Sequence, residues 1–179
     1  MTARNPISRA FAGRAAAVLA ALALPLAACG GSSERDADYA CPRPFTVQDA
    51  ERLTHFKEGA GQDPRDISFE ATLVNAASGC KLTKTTVEVT LVVRIAASAG
   101  PSLVPGRVAV PFFVRVIDSS GAIVQGQEFV SELRLTAANP QSAIREELSL
   151  TLSRSGAYRI AVGLKPTPEE LNCNRRGRQ

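Results

Sequence analysis

The alternation of apolar and polar residues is the feature that most constrains this fold, and it recurs from Ile67 to Leu164. It is clearest where Val87, Val89, Leu91, Val93 and Ile95 take turns with residues that are mostly polar. A period of two is that of a strand with one face on the core and the other in solvent. The segments are separated by turns rich in Gly, Pro, Asn and Ser, without an intervening helical pattern. The sequence therefore predicts an all-β domain.

Six or seven strands can be assigned from this pattern. They are Ile67–Leu73, Thr86–Ile95, Val108–Ile117, Ile123–Gln125, Phe129–Leu135, Ile144–Leu152 and Tyr158–Leu164. Short connections between them predict an antiparallel β-sandwich, with a small β-barrel as the alternative. The order resembles immunoglobulin-like or fibronectin type III-like domains as an architecture only, because the chain has no tryptophan. Pro111 removes a backbone donor, so its strand is predicted to lie at an edge or to bulge there.

Two short helices are predicted near the ends of the domain. Residues 46–56 fit a helix capped by Thr46, with Val47, Ala50 and Leu53 on one face. Thr167 to Leu171 fits a second helix, with Pro168 at its first position and Glu170 completing a capping box.

The N-terminal segment has the organisation of a secretory signal. A basic stretch with Arg4, Arg9 and Arg14 precedes an apolar run from Ala15 to Ala28, and Leu26-Ala27-Ala28-Cys29 closes it. This arrangement resembles bacterial lipoprotein precursors, in which the cysteine carries diacylglycerol and becomes the first residue after cleavage. The resemblance implies lipidation at Cys29. The alternatives are an ordinary signal peptide or an uncleaved membrane helix, for which the run is shorter than the roughly 20 residues required.

The organisation that follows is a signal peptide over 1–28, a lipidated tether over 29–40, one sandwich domain over 41–171 and a basic tail over 172–179. The segment between Cys29 and Cys41 is polar and rich in small residues. A flexible segment of this length spans roughly 17–20 Å, which keeps the domain close to the bilayer. Gly30 follows the lipidated cysteine, and in lipoproteins of cells with two membranes a residue other than aspartate there implies outer-membrane sorting. The predicted location is the periplasmic face of that membrane.

Three cysteines remain after lipidation of Cys29, in a compartment that is oxidising. Cys41 lies just before the folded part and Cys80 follows a predicted turn over 75–79, so we favour a Cys41–Cys80 disulfide. Cys173 could instead pair with either of them if the C-terminal segment folds back.

Charge and composition disfavour several classes of function. Of 21 basic residues three leave with the signal, which leaves 18 against 17 acidic residues and little electrostatic basis for nucleic-acid binding. His55 is the only histidine and is interpreted as an exposed residue of a charged helix, while Glu146-Glu147 and Glu169-Glu170 are interpreted as solvated pairs. No metal-ligand spacing, nucleophile elbow or phosphate loop is present. We therefore predict no catalytic residue, no metal and no cofactor.

Phe113 and Ile117 make their strand apolar on both faces. They either lie under one of the terminal helices or form an exposed patch for a protein partner. The leading hypothesis is a non-enzymatic, membrane-anchored module that binds or scaffolds another envelope protein. The alternatives are a purely structural lipoprotein and a periplasmic hydrolase that uses His55 or the acids.

Overall fold

The computed structural model describes residues 39–59 and 62–176. Nearly all of its regular structure is β-strand. The elements are β1 (Pro44–Thr46), β2 (Arg52–Phe56), a 3-10 turn (Pro64–Asp66), β3 (Ile67–Leu82), β4 (Thr86–Ala99), β5 (Gly106–Asp118), β6 (Ile123–Leu135), β7 (Gln141–Ser153), β8 (Tyr158–Leu164) and α1 (Pro168–Arg176).

The strands form two four-stranded sheets packed face to face, which confirms the predicted β-sandwich. Sheet I has the order β1-β8-β5-β6 and sheet II the order β2-β3-β4-β7. All pairs are antiparallel except β1 with β8. If β1 is left out and β2 to β8 are counted as strands one to seven, the two sheets have the orders 1-2-3-6 and 7-4-5. In immunoglobulin domains the second strand lies beside the fifth, whereas here it lies between the first and the third. The likeness to those domains is therefore one of architecture.

The core lies between the inner faces of the two sheets. Alternate residues of β4 and β5 are almost fully buried, as one-sided burial requires, whereas β8 is buried on both faces from Ile160 to Leu164. Apolar burial of this kind is the main stabilising term for a sandwich. The largest side chains with essentially no exposure are Phe112, Leu53, Leu91, Ile95, Leu133, Leu135, Ile160 and Leu164.

The predicted helix over 46–56 is wrong. The segment forms β1, a turn in which Asp49 has a φ of 68°, and β2. Five residues of β2 pair with β3, and Leu53 faces Ala71 in the core. A three- to four-residue apolar spacing fits both a helix and this turn, so pairing with β3 decides the outcome.

Two strands are longer than the alternation indicated. β3 shifts register between Leu73 and Asn75, which leaves Val74 exposed and continues the strand through Cys80 to Leu82. β6 is continuous from Ile123 to Leu135, with a shift opposite Val116 and Ile117. With β1 and β2 added, eight strands replace the predicted six or seven.

β5 is a central strand, contrary to the expectation from Pro111. Its pairing with β8 begins at Phe112, one residue after the proline. The Pro111 carbonyl accepts a hydrogen bond from the backbone of Lys165, just beyond β8. The proline therefore lies where the two-sided pairing has ended.

Both ends of the domain differ slightly from the predicted boundaries. Tyr39, assigned to the tether, packs against the core. The predicted C-terminal helix is present, with the capping box between Thr167 and Glu170, but it extends through Arg176. Residues 172–176 therefore belong to α1 and not to the tail.

Candidate functional site

Cys29, the predicted lipidation site, lies outside the described residues. The structure does contain the predicted Cys41–Cys80 disulfide, with Cα atoms 5.8 Å apart. It ties the segment before β1 to the second half of β3, where the Ser78 hydroxyl also donates to the Pro42 carbonyl at 2.6 Å. Cys173 is a free, half-buried thiol. The bridge therefore fixes the point at which the chain enters the sandwich.

Phe113 and Ile117 lie on the outer face of sheet I, and each is partly covered. Phe113 pairs with Gly163, where an added Cβ would lie 2.7 Å from the Phe113 ring and 2.8 Å from the Ala50 side chain. The Arg115 guanidinium lies 5.3 Å from the same ring. Cover thus comes from Arg115 and from Ala50, which lies in the segment predicted as the N-terminal helix but is not helical. Ile117 pairs with Ile123, so the apolar surface continues onto β6.

A charged cluster borders this apolar surface. Glu128 of β6 accepts from Lys165 Nζ at 2.6 Å and from an Arg115 guanidinium nitrogen at 3.1 Å. The Lys165 hydrogen bond, assisted by Arg115, lowers the pKa of Glu128. The carboxylate therefore stays ionised and neutralised by its own domain, which leaves the apolar residues beside it as the available contacts.

Among the described strands, β6 exposes the most large apolar side chains. β6 is the last strand of sheet I and pairs only with β5 among the described strands. Ile123, Val124 and Val130 expose 62%, 52% and 63% of their surface. Residues 123–127 carry no charge. We call Phe113, Ile117, Ile123, Val124 and Val130 the edge surface.

The other strand at this side of the sandwich is protected. On β7, Glu146 lies on the core-facing side and accepts from the buried Ser131 hydroxyl at 2.8 Å. Arg145 and Glu147 form an ion pair at 3.3 Å on the outer side. Charges on or beneath an edge strand discourage pairing with another chain. β6 between Ile123 and Gln127 lacks that protection.

The β2 edge is covered by α1. The Asn174 side-chain amide donates to the carbonyls of Asp49 and Arg52, at 3.2 and 2.6 Å. The Gln62 amide donates to the Glu169 carbonyl at 3.1 Å. The Asn174 side chain thus satisfies the Arg52 carbonyl of β2, which a neighbouring strand would otherwise pair.

His55 belongs to this helix contact. It lies on β2 rather than in a helix, and its Nδ1 is 3.0 Å from Glu170 Oε1. Glu170 is buried, contrary to the predicted solvated pair, and its Oε2 accepts from the Thr167 backbone at 2.7 Å. Both carboxylate oxygens therefore have structural partners. The arrangement docks a helix and leaves no free carboxylate oxygen at His55.

A shallow cleft of about 400 Å³ lies between β2, the 3-10 turn and α1. Its walls are of mixed chemistry and include Arg52, Thr54, Phe56, Glu70 and Cys173. Thr54 is the buried polar residue there and contacts Glu70 at 3.4 Å. Within the described ranges, His, Cys, Asp and Glu form no group of three that could hold a metal ion. None of the helices in the part that the structure describes is long and apolar enough to cross a membrane.

Replacing Glu170 with alanine should lower the free energy of unfolding by about 1–2 kcal/mol, because it removes a helix cap and leaves a buried contact unmade. The matched control is Glu169→Ala, since that side chain is exposed on the same turn. Urea denaturation of both variants measures the difference. Equal destabilisation would show that the Glu170 contacts do not hold α1.

Comparison with known proteins adds little to these observations. No protein-family model and no curated protein matches the chain. Among solved structures, Northeast Structural Genomics Consortium target SoR45 is similar at 12% identity, covering 56% of this chain and 88% of that one, with a TM-score of 0.31. A score this low supports no argument about fold or function.

Proposed function

We propose that this chain is an envelope lipoprotein, anchored through lipid on Cys29, whose sandwich binds or scaffolds another envelope protein without catalysing a reaction. The motif Leu26-Ala27-Ala28-Cys29 supports the anchor, and Gly30 supports the periplasmic face of the outer membrane. The exposed, uncharged stretch 123–127 of β6 supports the binding role. A protein supplies the two things this edge accepts, a strand and aliphatic side chains.

The edge surface carries the protein-binding part of the proposal. An unpaired edge offers a row of backbone donors and acceptors, and Ile123 and Val124 flank that row with apolar side chains. A partner strand that pairs with β6 would extend sheet I and cover these residues. Phe113 and Ile117 lie beside them on the outer face, where they add apolar contact area.

Purification of the full chain from its own membranes in mild detergent tests the proposal. The intact mass should show a cleaved, diacylated N-terminus at Cys29, and a second protein should co-elute in fixed ratio. A lipidated chain that elutes alone would favour the purely structural alternative. An unmodified Cys29 would overturn the anchoring.

Val124→Lys should reduce recovery of the companion at least about tenfold, because a charge at the pairing edge opposes strand addition and desolvation. The matched control is Val74→Lys, since Val74 is a valine of nearly equal exposure, 51% against 52%, on sheet II. Both variants should keep the unfolding temperature of the parent. Equal recovery from the two variants would place the partner elsewhere on the sandwich.

A further inference from the structure

The chain enters the sandwich at one of its two ends, which we call the tether end. It comprises residues 39–43, 81–86, 118–122 and 154–159. The Arg154 backbone and guanidinium donate to the carbonyls of Thr85 and Thr83, which joins the β7–β8 and β3–β4 turns. Asp118 pairs with Tyr158, and the Ile160 amide donates to the Arg43 carbonyl. These contacts bring four separate segments to one surface.

The tether end is strongly basic. Its five cationic residues are Arg43, Lys81, Lys84, Arg154 and Arg159, against the single acid Asp118. Arg43, Lys81, Lys84 and Arg159 are exposed.

The Asp118 carboxylate accepts hydrogen bonds from within its own turn. Its Oδ1 accepts from the Ser120 hydroxyl at 2.6 Å and from the Ala122 backbone at 3.0 Å. The hydrogen bond from Ser120 lowers the pKa of this carboxyl. The acid therefore remains charged but directs its oxygen to backbone and hydroxyl donors of the turn.

The opposite end of the sandwich has a different charge. Its connections are 57–59 with 62–66, 100–105, 136–140 and 165–167, and their charged residues are Lys57, Arg65 and Lys165 against Glu58, Asp63 and Asp66. The two ends of the sandwich therefore differ in net charge. Near an anionic surface, such a domain orients with its basic end toward that surface.

We infer that the tether end is a docking surface for the anionic phospholipid headgroups of the bilayer that holds the anchor. The inference rests on the lipidation of Cys29 proposed above, because Tyr39, the described residue nearest to Cys29 in sequence, belongs to this same end. The tether predicted over 29–40 would hold Tyr39 within roughly 20 Å of the anchor. The charge and the attachment point therefore favour the same orientation, in which the tether end faces the membrane.

Vesicle co-sedimentation tests the surface without the lipid anchor. The probe is residues 34–179, which keep every core residue from Ala50 to Leu164. It should bind vesicles of equal phosphatidylglycerol and phosphatidylcholine, should not bind phosphatidylcholine alone, and should be released as salt shortens the Debye length. Lys81→Glu with Lys84→Glu should weaken binding at least about tenfold.

The matched control reverses Lys57 and Arg65 to glutamate at the opposite end, which changes the net charge equally. It should weaken binding less than about twofold, and unchanged unfolding temperatures show that both variants are folded. Equal loss in the two variants would overturn the inference, as would binding to neither vesicle or to both alike.

The acidic residues Glu34, Asp36 and Asp38 of the tether are the competing occupant. A chain of residues 39–179 that binds while 34–179 does not would assign the basic surface to the tether and overturn membrane docking. The proposed lipidation is tested separately, by the intact mass of the full chain purified from membranes, because neither truncated probe contains Cys29.

Discussion

Replacing Phe112 with alanine is expected to lower the free energy of unfolding by about 3–5 kcal/mol. Phe112 lies in the central strand β5, is 1% exposed and stacks on Phe129 with ring centroids 5.1 Å apart. It also pairs with the buried Leu164 of β8. The truncation removes a large apolar side chain and leaves a cavity between strands that are paired on both sides and cannot close in.

Guanidinium denaturation gives the size of this effect. Val130→Ala is the control, because Val130 is 63% exposed one strand away and should change stability by no more than about 0.5 kcal/mol. Phe112→Leu should cost less than Phe112→Ala, since it keeps most of the apolar volume. Similar losses for Phe112→Ala and Val130→Ala would contradict the described core. A total stability of about 5–15 kcal/mol makes the alanine variant marginal.

The sequence predicted the strands that alternate without interruption. Val87 to Ile95 has every second residue at 1% exposure or less, so one-sided burial leaves an unmistakable period. The pattern fails at the bulged Val74, because one extra residue moves the next apolar side chains to the opposite parity. In β6 it fails at residues 126–128, none of which is apolar. The bulge in β3 made the segment before Cys80 resemble a turn.

Neighbour relationships were beyond the reach of local pattern. β1 pairs in parallel with β8, more than a hundred residues later, and three residues of sequence carry no sign of it. The local sequence of β2 also fits a helix, and only its pairing with β3 identifies it as a strand.

The sequence likewise predicts one part of the functional surfaces and misses another. Phe113 and Ile117 were correctly placed on the face opposite the core residues of their strand, because parity fixes that. The edge position of β6 depends on which strand fails to pair with it, so Ile123, Val124 and Val130 were missed as a surface. The one available signal was the charge-free run from Ile123 to Gln127. The basic tether end likewise combines residues from four turns that only the strand register brings together.

Loss of the disulfide is the second change with a large expected effect. Cys41→Ser with Cys80→Ser should lower the free energy of unfolding by about 3–4 kcal/mol, because the bridge closes a loop between residues 39 positions apart and restricts the unfolded chain. The loop encloses β1, β2 and most of β3. β1 has only three residues in its pairing with β8, so it depends on the bridge more than the long strands do.

Denaturation under oxidising and reducing conditions separates the bridge from the substitutions themselves. Reduced parent protein should unfold at the same denaturant concentration as the double serine variant, and the oxidised parent at a higher one. Cys173→Ser is the control, because that thiol is free and should leave the difference between oxidised and reduced protein unchanged. If reduction does not move the parent transition, strand pairing alone holds the N-terminal segment. In that case the tether would join a domain whose first strand stays in place without a covalent tie.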